Sequence, residues 1–527
     1  MSVAGTIAKN SVFTIIANMS ELLIALVTGI VLARSLGTEQ YGIYVYLMWF
    51  LGVVAVIVNL GLAEMSKRFI AEATGRKTAD EPRGFAQLTL MLRGGAALLI
   101  CLVIIVTSGY WARLSGNSSN QIYFVLIAFA SVPHALTYAL ISIFRGFQKY
   151  EYAAYILLGN NSLRLVLVII LMALGYGIWE VLIVNISVLG VAVLIGLFLL
   201  QRLIPLKGLF LPSPLDTSVR KRALKYAMTM AGVLGVDYLA YQQAEVFFIG
   251  IYCPVEAVGF YHIAFRLANM SMMLLPSAFG FVLLPAIAEQ FGKGDMEKIK
   301  AIYLTSLRYL MAAAVPLATG AITLAGPIIS VLYGAEYGPA VILMQILIVP
   351  VAILNVGRAA GAVIFGINRP GFILKINIFM AFINIGLSLL LISRYGVIGA
   401  SIAKSVPLIL VTLLCIGFAS RRTGATWPVR DTIKITVASL IMGLAVYAVQ
   451  NQLTAGLSLG LGIPLGIVIY IIGIFAFRVV REQDLAMLKK VFNSLPPVLR
   501  EYSVALIGLM EKFVIRTRPG SKIGINQ

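Results

Sequence analysis

The sequence predicts an all-α integral membrane protein with fourteen transmembrane helices, organised as two parallel six-helix repeats followed by two extra C-terminal helices. Three observations carry that expectation. The 527-residue chain is 60% hydrophobic and only 12% charged, with a mean hydropathy of +0.96, whereas soluble domains are about 25% charged. A hydrocarbon core about 30 Å thick takes about 20 apolar residues per helix, and almost every part of the chain up to residue 480 belongs to such a run. The 41 Lys and Arg also fall very unevenly on the two sides that these helices define.

In order, the spans are read at 10–33, 41–64, 85–109, 121–144, 153–175, 179–201, 226–250, 257–283, 301–325, 340–366, 371–393, 397–419, 431–450 and 460–478. Turn chemistry separates them, as at Leu36-Gly37, Gly116 to Ser119, Gly175-Tyr176-Gly177 and Arg369-Pro370-Gly371. The N-terminus leads into a full-length span without the short apolar core and small-residue cleavage site of a signal peptide, so the first helix is expected to be kept. Residues 1–202 then form an N-terminal six-helix lobe, 203–225 a basic cytoplasmic linker with Pro205, Pro212 and Pro214, and 226–420 a C-terminal six-helix lobe. Residues 431–480 hold helices 13 and 14, and 481–527 a cytoplasmic amphipathic tail with Leu499, Tyr502, Leu506, Leu509 and Phe513 at helical spacing. A solvated or partner-binding helix fits that tail equally well.

One side of the membrane collects Lys9, the cations counted from Lys67 to Arg93, Arg145, Lys149, the cluster from Arg202 to Lys225 and the series from Arg478 onward. The other side holds Arg34, Arg113 and Arg394. The positive-inside rule makes the rich side cytoplasmic, together with both termini. The net charge of +20 is thus a topology signal, with attraction to anionic membrane lipids as a secondary effect. Nucleic acid is not needed as a partner. Outer loops such as 175–179 and 252–256 leave no room for a catalytic domain, so no enzyme is expected. Cys101, Cys253 and Cys415, and likewise His134 and His262, lie too far apart for a metal or redox pair. No metal or cofactor is expected, apart from coupling to H+ or Na+.

The duplication is read from three echoes at a nearly constant offset. Residues 36–44, Leu-Gly-Thr-Glu-Gln-Tyr-Gly-Ile-Tyr, answer 253–261, Cys-Pro-Val-Glu-Ala-Val-Gly-Phe-Tyr. The turn at 145–150 answers that at 365–370, and Gly-Tyr-Gly-Ile at 175–178 answers Arg-Tyr-Gly-Val at 394–397. Units with an even number of spans enter from the same side, which makes the repeats parallel, and transporters built this way place substrate between their halves.

Candidate residues are the polar groups inside spans, because a charge at the bilayer centre costs about 2.5–3.5 kcal/mol on the insertion scale and normally faces a bundle interior or wet cavity. The seventh span carries Asp237, Tyr241, Gln242 and Glu245, and the eighth His262, Arg266 and Asn269, each set along a helical stripe. Arg266, Arg358, Lys404 and Arg164 are the candidate anion-binding cations, since guanidinium donors fork onto phosphate oxygens. Asn269, Asn355, Tyr241 and Gln242 are the candidate sugar-binding groups. A structural ion pair or snorkelling to an interface competes with function for each cation, and Arg308, near a span end, reads as a snorkelling anchor. Glu21, Asp237 and Glu245 are candidate ion-coupling acids, against a permanent salt bridge. Glu64 and Glu289 end their spans near basic loops and read as gate or topology residues. Asn377, Asn384 and Ser388 form one polar stripe, either cavity lining or helix contact.

The 6+6+2 plan, the Leu-Gly-x-x-x-Tyr-Gly-x-Tyr turn at 36–44 and the paired turns Gly-Phe-Gln-Lys (146–149) and Gly-Ile-Asn-Arg (366–369) resemble the polysaccharide transporter family. These are the Wzx-type O-antigen and exopolysaccharide flippases of the MOP superfamily, which also includes MATE exporters and lipid II flippases. The resemblance implies two lobes facing each other in a V around a cavity open alternately to each side. It also implies a polyprenyl (di)phosphate-linked oligosaccharide as substrate, with polysaccharide-assembly proteins as further partners. Lipid II flippases use arginines in the first, second and eighth spans. Here the first offers Asn18 and Glu21, the second Asn59 and Glu64, and only Arg266 of the eighth matches. From that asymmetry the phosphate end of the substrate is expected on the second lobe, with the first handling mainly sugar or the coupling ion. A MATE-like ion-coupled multidrug exporter is the alternative, disfavoured by the intramembrane cations; a membrane-embedded polysaccharide polymerase or ligase is the alternative from another class.

Overall fold

Helices account for the regular structure of the chain in a computed structural model that describes residues 3–481 and Asp484, except 77, 79, 117, 206–214, 242–243 and 273–275. The N-terminal series is α1 (Val3–Asn59), α2 (Leu62–Gly75), α3 (Glu81–Leu114), α4 (Gln121–Gly146), α5 (Tyr150–Ala173) and α6 (Ile178–Leu200). There follow α7 (Thr217–Tyr241), α8 (Glu245–Tyr252), α9 (Glu256–Ser271), α10 (Pro276–Gly292), α11 (Met296–Thr323) and α12 (Ala325–Leu332). The chain continues through α13 (Ala340–Gly366), α14 (Pro370–Thr423), α15 (Val429–Gln450) and α16 (Ala455–Ala476). Ten of these are long and apolar enough to cross a membrane, so the protein is a multi-pass membrane protein.

The ten crossing helices fall short of the fourteen expected spans for two physical reasons. First, α1 and α14 each run through two of the expected spans and are broken only where Gly37 (φ 73°) and Gly396 (φ 59°) leave the helical region, a conformation open to a residue without Cβ. Second, the expected seventh span is divided between α7 and α8, and the eighth between α9 and α10. The linker residues 206–214 and the tail after Asp484 lie outside the described residues.

The paired turns have the same backbone form. Gln148 (φ 59°) and Asn368 (φ 58°) are both left-handed. In each, the following residue donates back to the carbonyl five positions earlier, Lys149 N–H to Phe144 at 2.8 Å and Arg369 N–H to Ile364 at 2.9 Å. This is the closure that satisfies a helix's last carbonyls.

The contacts define two compact units. The first comprises residues 1–264, 332–343 and 375–407. Within it α3 packs on α4, α1 on α5 and α4 on α6, over a core that includes Phe69, Phe85, Phe144 and Leu140. Small residues allow the approach: Gly146 lies against Ile70 and Ser66, and Gly196 against Leu140. Val106, 77% exposed on α3, belongs to a surface that meets acyl chains rather than protein.

The second unit comprises 265–331, 344–374 and 408–527, with α11 on α15 and α15 on α16. Asp295 caps α11 by accepting the Lys298 N–H at 3.0 Å; that bond and the Lys298 side chain lower the Asp295 pKa. The cap is therefore in place above the ordinary carboxylate range and is lost as pH falls through the lowered value. Arg308, expected to snorkel, is instead buried: its Nη2 donates to Asp484 at 2.5 Å and its Nη1 to the Val479 carbonyl at 3.4 Å.

At Gly42 a Cβ would collide with the Val255 carbonyl oxygen. Gly42→Ala is expected to destabilise the first unit by about 1–3 kcal/mol through overpacking, read as a lower unfolding temperature of the purified protein; a wild-type temperature would refute that packing.

Candidate functional site

Glu21, Asn160, Asn161 and Arg164 meet in a cavity of about 170 Å³ inside the first unit, which Asn185, His134 and Tyr138 also line. On α5, Asn160 and Arg164 are one turn apart, so both project from one face. Arg164 Nη2 donates to Asn161 Oδ1 at 3.3 Å, and Asn160 Nδ2 donates to the same oxygen at 3.4 Å. Asn185 Nδ2 reaches the Met48 sulfur at 3.7 Å. Among the described residues, Arg164 Nε and Asn160 Oδ1 have no hydrogen-bond partner. The lining side chains carry amide, carboxylate and guanidinium groups, the chemistry that pairs with hydroxyls.

A second cavity, of about 320 Å³, shares His134 and Tyr138 with the first and is lined further by Asn59, Ser142, Lys67, Arg93 and Arg145. The two rings lie 4.6 Å apart between centroids, one turn apart on α4. Arg93 had been counted with the loop cations, but the structure places it three turns into α3, 3% exposed. The signal was available, since Arg93 lies inside the span drawn at 85–109. His134 lines both cavities. The first two spans do lack arginines, whereas α3, α4 and α5 supply cations to the first unit's cavities.

Glu245 and Lys404 meet elsewhere in the first unit. Glu245, the first residue of α8, is 0% exposed and Lys404 is 3% exposed. Their charged atoms lie 3.7 Å apart. Asn384 Nδ2 donates to Glu245 Oε1 at 2.7 Å and the Tyr261 hydroxyl donates to Oε2 at 3.1 Å. The ion-coupling candidate thus already has a cation, and the anion-binding candidate Lys404 already has a carboxylate. Of the polar stripe, Asn384 serves this pair, and Ser388 is buried beside it on α14.

The other candidates are distributed as follows. Arg266 is half-buried on α9 and Asn269 exposed, its Nδ2 donating to the Phe265 carbonyl at 2.8 Å. On α13, Asn355 is buried and donates to the Val351 carbonyl at 2.8 Å, while Arg358 is exposed. All four belong to the second unit. The side chains of Asp237 and Tyr241, and residue Gln242, lie outside the described residues. Glu64 holds Lys67 at 2.5 Å, and Glu289 holds Lys293 at 2.5 Å.

A family model described as polysaccharide biosynthesis protein matches residues 31–342. The chain is 23% identical over 485 residues to the probable low-salt glycan biosynthesis flippase Agl15 of Haloferax volcanii, covering 90% of this chain and 97% of that protein. Among solved structures, lipid II flippase MurJ in an inward closed conformation superposes with a TM-score of 0.67 at 16% identity, covering 88% of this chain and 98% of that one. An inward-facing multidrug resistance MATE family transporter of the MOP superfamily superposes with a TM-score of 0.64 at 16% identity, over 77% and 94%. The fold is that of this superfamily.

Lys404→Met strands a buried carboxylate and is expected to cost about 3–5 kcal/mol, whereas Glu245→Gln with Lys404→Met recovers most of it. Thermal unfolding of the single and double variants tests the coupling; additive losses would mean that the pair does not act as a unit.

Proposed function

We propose that the chain, which belongs to the polysaccharide biosynthesis protein family, is a flippase. Its substrate is a polyprenyl (di)phosphate-linked oligosaccharide, carried from the cytoplasmic to the outer leaflet by alternating access. The observation that carries this reading is the cavity lined by Glu21, Asn160, Asn161, Arg164 and Asn185 within helices that read as spans, a concentration of amide, carboxylate and guanidinium groups that suits a polyol. Such a lining is costly in a bilayer protein unless a polar guest or water uses it. Similarity to a named glycan biosynthesis flippase over nearly the whole chain supports the same reading. The chain then works by binding and conformational exchange, with no catalytic step.

Counting α1 and α14 as two spans each, and the pairs α7–α8 and α9–α10 as two broken spans, brings the total to the fourteen expected. The matched turns at Gln148 and Asn368 support a duplicated six-span unit, with helices 13 and 14 appended. The basic loops orient both termini to the cytoplasm of a prokaryotic cell. Cationic cavities disfavour the exporter of cationic drugs, because like charge repels such cargo from a low-dielectric site. Ion coupling, where it operates, falls to Glu21 rather than to Glu245, whose counter-charge is built in.

Arg164→Gln in proteoliposomes is expected to slow translocation of a lipid-linked oligosaccharide by roughly tenfold or more, the scale of one charge-assisted hydrogen bond; wild-type rates from folded protein would remove the cavity from the pathway. Glu21→Gln should abolish any dependence on imposed proton or sodium gradients. Transport indifferent to the collapse of both gradients in the unsubstituted protein would exclude coupling through Glu21.

A further inference from the structure

The geometry points to a built anion site at Arg93, beside the His134–Tyr138 turn of α4, taking the diphosphate of the lipid-linked substrate; this rests on the flippase reading. Arg93 is 3% exposed, and among the described residues neither its Nε nor its Nη1 has a hydrogen-bond partner. No described carboxylate forms an ion pair with it. A guanidinium stays ionised at any depth, and a buried charge without a counter-charge is among the most costly arrangements in a folded chain. Elsewhere in the described structure the buried cations Lys404 and Arg308 each have their carboxylate. Arg93 is the exception, and it borders a cavity of about 320 Å³.

The neighbours in that cavity determine the sign and class of the ligand. Lys67 and Arg145 line it with Arg93, and no acid does. Lys67 is already held by Glu64, so the spare charge belongs to the two arginines. Two guanidiniums on one cavity match an anion with several oxygens in two groups, which describes a diphosphate better than a single carboxylate. The position agrees with that ligand. Arg145 lies in the last turn of α4, beside the basic turn that holds Lys149, while His134 is about 16 Å deeper along the helix. A lipid-linked diphosphate enters at headgroup level and stops at the arginines. Its sugars extend past the rings into the cavity of Asn160, Asn161 and Arg164, and its lipid tail stays in the bilayer.

The probe is inorganic pyrophosphate, titrated calorimetrically into the full-length protein in detergent, with thermal unfolding followed in parallel. Wild-type protein should bind pyrophosphate and unfold at a higher temperature with it. Arg93→Gln should weaken binding at least roughly tenfold, and without pyrophosphate it should unfold no earlier than wild type, because an uncompensated charge has been removed. A lower unfolding temperature for Arg93→Gln without pyrophosphate would assign Arg93 a structural partner and overturn the site. So would unchanged pyrophosphate affinity in both Arg93→Gln and Arg145→Gln. Nanodiscs of phosphatidylcholine with and without phosphatidylglycerol separate the two sources of phosphate. Arg93-dependent stabilisation by phosphatidylglycerol with no pyrophosphate binding would assign the site to bilayer lipid and sink the diphosphate. In proteoliposomes, Arg93→Gln should flip lipid-linked oligosaccharide slowly; wild-type flipping with pyrophosphate binding lost overturns the subsite and leaves the flippase standing. No flipping by wild-type protein that binds pyrophosphate through Arg93 would sink the flippase reading alone.

Discussion

Lipid offers no hydrogen bonds, and that constraint decides the place of nearly every polar atom in this chain. Most of the hydroxyls answer it locally. Thr28 donates to the Ile24 carbonyl at 2.7 Å, Ser405 to Ser401 at 2.6 Å and Thr412 to Leu408 at 2.7 Å, each one turn back along its own helix. Such groups are satisfied before any tertiary contact forms, and they carry little information about function. The informative groups are those too long or too highly charged to be satisfied that way.

These follow two physical routes. Glu245 and Lys404 neutralise each other, with Asn384 and Tyr261 satisfying the carboxylate's remaining capacity. That arrangement is close to neutral in net stability, because the attraction is spent on desolvating both ions. The residues around His134 and Tyr138 behave differently: they line cavities, and among the described residues Arg93 and Arg164 keep buried donors without a hydrogen-bond partner. A bundle that tolerates both kinds separates scaffold from site by whether the charge is closed within the protein. The same distinction explains the small residues between α2, α4 and α6, where side-chain packing rather than polar attraction holds the helices.

Much of the class was legible in the sequence because it follows from composition and from the length of apolar runs. Glu21 and Arg164 could be chosen from sequence, since a polar residue inside a span stands out against its neighbours. What α5 places beside them could not, because Asn185 and His134 come from other helices. The partnership of Glu245 with Lys404 joins residues far apart in the chain, and nothing local to either names the other. Arg93 was misplaced for another reason: counting charges by loop favours the interface and passes over a cation a few turns inside the helix.

Lys404 has an electrical consequence. Moving one elementary charge fully across a membrane is worth about 2.3 kcal/mol per 100 mV, so a site that takes up and releases a mobile cation senses the voltage. An ammonium covalently tied to α14 and held 3.7 Å from its carboxylate can neither leave nor be exchanged. When the two move together they carry no net charge. Displacement of such a pair moves no net charge through the field and draws nothing from the membrane potential.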